Sequence, residues 1–217
     1  MTAAYFVFEA YHFLKKNFSY RITIAGTGLL IIIILFQGSY NLWHFSRLIA
    51  KKDSRLLGKA WVMENIPQGS SIYQHGGGSE YAHLQLPHTL EMMEKKLAKA
   101  KARGESGRVD LARIQHLKKT GLTGYSFFSF KDSTVIAMDS LPDYMIIHEY
   151  PLMEFSSPPD NVQKLLNTQY KPVHQILAVN SKHIGNQYDQ HDAFFLPFSG
   201  FHEVERPGNN MTIYSRK

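Results

Sequence analysis

ITIAGTGLLIIIILFQGSYNLW, residues 22–43, decides how the rest of the chain is to be read. No charged side chain stands between Arg21 and Arg47. A hydrocarbon layer about 30 Å thick is crossed by roughly 20 helical residues rising about 1.5 Å each, so the stretch predicts a transmembrane helix. Gly26, Gly28 and Gly38 would weaken a soluble helix but are common in membrane helices, where they allow close packing. Tyr20 suits one interface, and Tyr40 and Trp43 the other. Two rivals fit less well. A buried core helix is seldom apolar all round and bracketed by aromatics and cations. A cleaved signal peptide has a small-residue cleavage site close behind its apolar run, whereas this run starts late and a bulky aromatic stretch follows it.

Outward from that segment, residues 1–14, MTAAYFVFEAYHFL, are apolar and aromatic but short, and contain Glu9 and His12. They read as an interfacial helix or as the stump of an earlier spanning helix. Lys15, Lys16 and Arg21 flank the span on one side, and Arg47, Lys51, Lys52, Arg55 and Lys59 on the other. The cations therefore give no clean orientation, and slightly favour a cytoplasmic C-terminus. The organisation expected is an apolar, interfacial segment at 1–21, a transmembrane helix at 22–45 and an α/β domain at 46–217.

The domain opens with DSRLLGKAWVMENIP (53–67), which predicts a helix capped by Asp53 or Ser54. Leu56, Leu57, Ala60, Trp61 and Glu64 recur near a 3.6 period, which points that stripe at a core. Pro67 and Gly69 stop the helix. Ser71–Gln74 is a strand candidate, and Gly76-Gly77-Gly78 a turn, since no Gly-Lys-Ser/Thr or spaced G-x-G-x-x-G accompanies it. Residues 88–119 predict cationic helices broken at Gly104–Gly107. Leu90, Met93 and Leu97 form one sparse apolar stripe, and Leu111, Ile114 and Leu117 another. Nine Lys or Arg face four Asp or Glu between Glu91 and Lys119, which reads as a solvated face or as a face laid on anionic headgroups.

Strands are expected at GYSFFSF (124–130), STVIAM (133–138), DYMIIHEY (143–150), KPVHQILAV (171–179) and NMTIYSR (210–216), with a short helix from Asp160, as cap, to Thr168. Helices alternating with short strands make a small α/β domain with a mixed or mainly parallel sheet.

Chemistry-bearing motifs are few. The chain has no Cys, which excludes disulfides and thiolate metal sites. Its formal net charge of +6 is modest, and no arginine-and-aromatic recognition module accompanies it, so nucleic acid is not expected as a partner. Eleven histidines are present, none in H-E-x-x-H spacing. His183, His191 and Asp192 share one loop-like stretch, but scattered surface histidines are the better reading, and neither a metal nor a cofactor is expected. There is no G-x-S-x-G, and no carboxylate pair has a setting that would split two pKa values. Asn17-Phe18-Ser19 and Asn210-Met211-Thr212 are sequons, which matter only in a eukaryotic secretory compartment; Asn17 lies close to the span.

Two blocks, KKDSRLLGKAWVMENIPQGSSI (51–72) and YDQHDAFFLPFSGFHEVERPGNNMTIYSRK (188–217), with LPDYMIIHEY (141–150) and the strand at 171–179 between them, carry a resemblance. Together they resemble the C-terminal end of polytopic glycosyltransferases that use lipid-linked sugars, the kin of protein O-mannosyltransferases and aminoarabinose transferases. The matching positions are Asp53, Ser54, Arg55, Trp61, Asn65, Ile66, Pro67, Asp143, Tyr144, Arg206, Pro207 and Gly208; Asn209 stands where a second proline is usual. The resemblance covers about residues 22–217. It implies an extracytoplasmic domain after a last membrane helix at the cell membrane, with membrane lipid, a polyprenyl-phosphate sugar and a companion polytopic subunit as partners. It also implies about a dozen membrane helices and a catalytic acid in an early extracytoplasmic loop. Glu9, the only acid before the span, has no matching setting, so no catalytic residue carries over. The chain is thus expected to be a truncated or split enzyme, inactive alone. Arg206 either binds a carrier phosphate or pairs with a nearby acid where Pro207-Gly208 turns into the last strand. The competing reading is a free-standing, membrane-anchored envelope interaction module; a soluble enzyme with its own site has no convergent polar groups to support it.

Overall fold

The computed structural model describes residues 2–76, 83–128, 141–149, 158–180, 186–188 and 196–217. The strand expected at 133–138, the loop residues Gly77 and Gly78, and His183, His191 and Asp192 lie outside them. Two helices come first: α1 (Thr2–Asn17) and α2 (Tyr20–Ile49). At about 1.5 Å per residue, the 30 residues of α2 reach about 45 Å. Most of its large apolar side chains, from Ile22 to Trp43, are exposed. A helix so long and apolar has the dimensions to cross a membrane. α1 packs back along it, Leu14 against Gly26.

The α/β expectation holds, with a mixed sheet. After α3 (Ser54–Asn65) come β1 (Ser71–Gly76), α4 (Leu90–Ala102), α5 (Arg108–Thr120), β2 (Ser126–Phe128), β3 (Tyr144–Glu149), α6 (Asp160–Gln169), β4 (Tyr170–Ile176), β5 (Gln187–Tyr188), β6 (Pro197–Ser199) and β7 (Asn210–Arg216). The main sheet has the order β2-β1-β3-β7-β4. β2, β1 and β3 run parallel, and β7 lies antiparallel between β3 and β4. β5 and β6 pair as a separate ribbon that the sequence patterning did not anticipate.

Side-chain alternation gives each face of the sheet its own core. Ile72, Ile146, Met211 and Ile213 point to the face covered by α3, where Val62, Ile66, Leu84 and Tyr125 complete the layer. Tyr73, Met145 and Ile147 point the other way, against Val162, Leu166 and Tyr170. Met93, Ile114 and Leu117 close the α4–α5 hairpin. The last turns of α2 join the domain through Leu48, Leu196 and Phe201, and His44 stacks on Phe201 at 5.4 Å.

Three local expectations need correction. The buried stripe of α3 is Ser54, Gly58 and Val62, with Leu57 and Trp61 at its margin. Leu56 is 60% exposed, and Ala60 and Glu64 are exposed too. Gly58 is what turns the helix this way, because it lets the backbone approach Met211 and Leu84; a hydrophobicity pattern ranks a glycine as neutral and so points one residue off. In α6, Pro159 is the cap and Asp160 the first helical residue. Proline pre-sets the backbone there, and Asp160 instead complements the positive helix end. Leu111, placed on a core stripe by its spacing, is exposed as well, because the hairpin contact of α5 is narrow.

A charge at the middle of α2 tests the reading of its surface. Ile33→Asp should cost about 2.5–3.5 kcal/mol of insertion free energy, and so lower the fraction of the full chain that stays with membranes through an alkaline wash. An unchanged fraction would show that α2 is not buried in lipid.

Candidate functional site

The N-terminus of α3 is assembled from both ends of the domain. Asp53 caps the helix: its Oδ1 accepts from the Arg55 backbone N–H at 2.8 Å and from Arg55 Nε at 2.9 Å, and its Oδ2 accepts from Arg55 Nη2 at 2.5 Å. The two-point pairing fixes the guanidinium. The Ser54 N–H donates to the Pro207 carbonyl at 2.9 Å, and the buried Ser54 hydroxyl donates to the Asn209 carbonyl at 2.7 Å. Gly208 lies against them at φ +102°, where a Cβ would overlap the Ser54 hydroxyl and crowd the Asp53 carboxylate. Lys51, one residue past the α2 cap, donates through Nζ to the Glu205 carbonyl at 2.7 Å.

The 205–210 turn is held from the other side as well. The Asn210 side chain accepts from the Ala178 and Val179 N–H groups and donates to the Val179 carbonyl. Arg206 sits 3.8 Å from Glu205, and its Nε is buried with no hydrogen-bond partner among the described residues. Of the sequence-derived positions, Asp53, Arg55, Arg206, Pro207 and Gly208 therefore meet at one junction beside the end of α2. Trp61, Pro67, Asp143 and Tyr144 do not. Trp61 stacks flat on His174 of β4 at 4.5 Å. The Pro67 carbonyl closes a turn with Ser70, and Tyr144 packs at the margin of the α3-side core. The Asp143 carboxylate accepts from the Ser71 N–H and hydroxyl, both at 2.7 Å, tying together the starts of β1 and β3. These hold the end of the sheet away from α2.

The junction borders the carboxyl ends of the parallel strands, since β7 begins at the junction and pairs His148 with Met211 and Glu149 with Asn210. Ligands of open α/β sheets bind at such strand ends. His148 and Gln74 lie there on the α3 side, a pair that the sequence reading passed over. His148 is fully buried. The Leu84 N–H donates to Gln74 Oε1 at 2.8 Å, while Gln74 Nε2 donates to the Leu84 carbonyl, so the amide orientation is fixed. His148 Nε2, 3.0 Å from that same Oε1, must then carry the proton. Its Nδ1 is left as a bare acceptor with no partner among the described residues. His83 stacks on the ring at 5.1 Å. Burial first, then His83, Arg55 and His75, hold the His148 imidazole well below the usual histidine range, so it is neutral at pH 7. The signal that could have found it is a histidine on the inward face of an otherwise apolar strand.

Among the described residues, no three His, Asp or Glu side chains converge as a metal site. What the arrangement offers instead is three cations at the junction (Lys51, Arg55 and Arg206) and a buried imidazole, within reach of the Arg55 charge, that can accept one hydrogen bond. Comparison with protein-family models, curated proteins and solved structures found no match.

Ser54→Ala should cost about 1–3 kcal/mol by stranding the Asn209 carbonyl, and Gly208→Ala at least as much, from strain and overlap together; denaturant unfolding checks both. His148 adds a pH dependence. Its folded-state pKa is depressed, so below about pH 6.5 the unfolded chain binds more protons than the native one, and stability falls as pH falls, by up to about 1.4 kcal/mol per unit. His148→Gln should flatten the melting temperature across that window. An equal slope in the variant would place the titration elsewhere.

Proposed function

We propose that this chain is the extracytoplasmic α/β domain, with its membrane helix, of a cell-membrane glycosyltransferase that draws sugar from a polyprenyl-phosphate carrier, and that it acts with a companion polytopic subunit. One observation carries the reading. Asp53-Ser54-Arg55 and Arg206-Pro207-Gly208, the two most distinctive segments of the resemblance, are about 150 residues apart and form one hydrogen-bonded unit directly behind α2. Motifs kept for a common structural purpose are expected to meet; chance matches are not.

On this reading the junction sets the domain on the bilayer. Residues 50–53 span at most about 13 Å, so the strand ends and the cations Lys51, Arg55 and Arg206 face the surface where a carrier phosphate would lie. Arg206 favours the pairing role at the turn, with its partly exposed guanidinium edge left for an anion. The acid that activates the acceptor belongs to the companion subunit. Gly28 and Gly38 have nothing within 4 Å of a built Cβ, which leaves room on α2 for a neighbouring helix.

Transfer from a radiolabelled polyprenyl-phosphate sugar by the purified full chain, alone and with the protein that co-purifies from native membranes, tests the proposal. The chain alone should give no transfer, and a polytopic partner should restore it, with Gly28→Leu/Gly38→Leu weakening co-purification. Robust transfer by the chain alone would sink the division of labour. A partner lacking membrane helices, with no transfer in any combination, would favour the anchored interaction module.

A further inference from the structure

We propose that the groove between α3, residues 85–88 and α5 binds a phosphate-headed lipid drawn from the bilayer that holds α2. The groove has a volume of about 670 Å³. Met63, Leu86, Met93, Val109 and Leu117 line it with apolar surface, and Lys59, Arg113, His88 and His116 supply its charged and titratable groups. No acidic side chain lines it. Pockets of this size with a mainly apolar lining and a few polar groups are the usual form of a small-molecule site.

Ion pairs take up part of the nearby positive charge. On the α4–α5 hairpin, Lys95 pairs with Glu91 at 2.7 Å, Lys118 with Glu94 at 3.1 Å and Lys96 with Asp110 at 3.6 Å. Lys59 and Arg113 have no acidic partner among the described residues. Lys99, Lys101, Arg108 and Lys119 of the hairpin have none either; Lys59 and Arg113 differ in lining an apolar groove that no acidic side chain enters. The local potential reaches His88, whose imidazole is held below its usual range by burial first, then by Lys96 and Arg113, against a smaller opposing effect of Asp110.

An apolar cleft with uncompensated positive charge suits an anionic amphiphile. An acidic helix is the macromolecular alternative, but a helix about 10 Å across fills this volume in roughly one and a half turns, too little for helix-in-groove docking. The source is the bilayer that holds α2, toward which the Lys59 side of the groove lies; the His88 side, bridged to Tyr125 just ahead of β2, lies toward the strand starts. Lys59 is five residues into α3, about 8 Å along it, and α3 starts within about 13 Å of α2. Each cation near a headgroup contributes about 1 kcal/mol. The inference does not rest on the glycosyltransferase reading and survives if that reading fails.

The test uses the full chain in a neutral detergent, with lysophosphatidic acid as probe and native mass spectrometry and His88 NMR titration as readouts. One lysophosphatidic acid should bind per chain and raise the His88 pKa. Lysophosphatidylcholine, zwitterionic, and glycerol 3-phosphate, tailless, should each bind about tenfold more weakly or worse. Lys59→Glu/Arg113→Glu should weaken lysophosphatidic acid about tenfold or more, with the circular dichroism spectrum retained. If that variant does not fold, Val109→Asp, an exposed change at the groove that suits the first turn of α5, should do the same. Equal binding of lysophosphatidylcholine, glycerol phosphate as tight as the lipid, binding indifferent to the charge changes, or displacement of the lipid by an acidic amphipathic peptide would each overturn the proposal.

Discussion

The Ser54 hydroxyl bonded to the Asn209 carbonyl is the contact on which the rest of the domain depends. The first N–H groups of a helix have no partner within it. In α3, one is taken by the Asp53 carboxylate and one by the carbonyl of Pro207, which comes from the far end of the chain. The helix that leads out of α2 is thus begun by the turn that leads into β7. A net hydrogen bond is worth only about 1 kcal/mol, but stranding a buried partner costs about 1–3. Gly208 permits the approach, since any side chain there would occupy the space of the Ser54 hydroxyl.

The antiparallel placement of β7 follows from the same constraint. Inserted between β3 and β4, it runs away from the junction, and its Met211 and Ile213 fill the centre of the α3-side core. The carboxyl ends of β1 and β3 therefore lie beside α2, and the starts of those strands, tied by Asp143 and Ser71, lie at the opposite end. A polar pair in the core is tolerable under this arrangement because Leu84 satisfies both ends of the Gln74 amide and orients it toward His148.

Charge is distributed with similar economy. Arg55 is bound to Asp53 in two-point fashion, and Lys95, Lys96 and Lys118 of the α4–α5 hairpin each have an acid within reach. Lys59 and Arg113 line an apolar groove with no acidic side chain beside them. Exposed ion pairs contribute little to stability, so this partition matters more for what the surface attracts than for how firmly the domain folds.

The sequence by itself determined the long apolar helix, a cap at Asp53 or Ser54, the break at 104–107 and the strand at 210–216, all of which rest on near neighbours: hydrophobic period, capping chemistry and glycine punctuation. Even there, local rules misplaced details that depend on a packing partner, such as the α3 stripe centred on Gly58 and the cap at Pro159. The meeting of residues 53–55 with 206–209, the buried His148 with its fixed tautomer and the cationic groove were decided by tertiary structure alone. Each needs groups brought together from distant parts of the chain, and no periodicity records which strand end will come to rest against which helix.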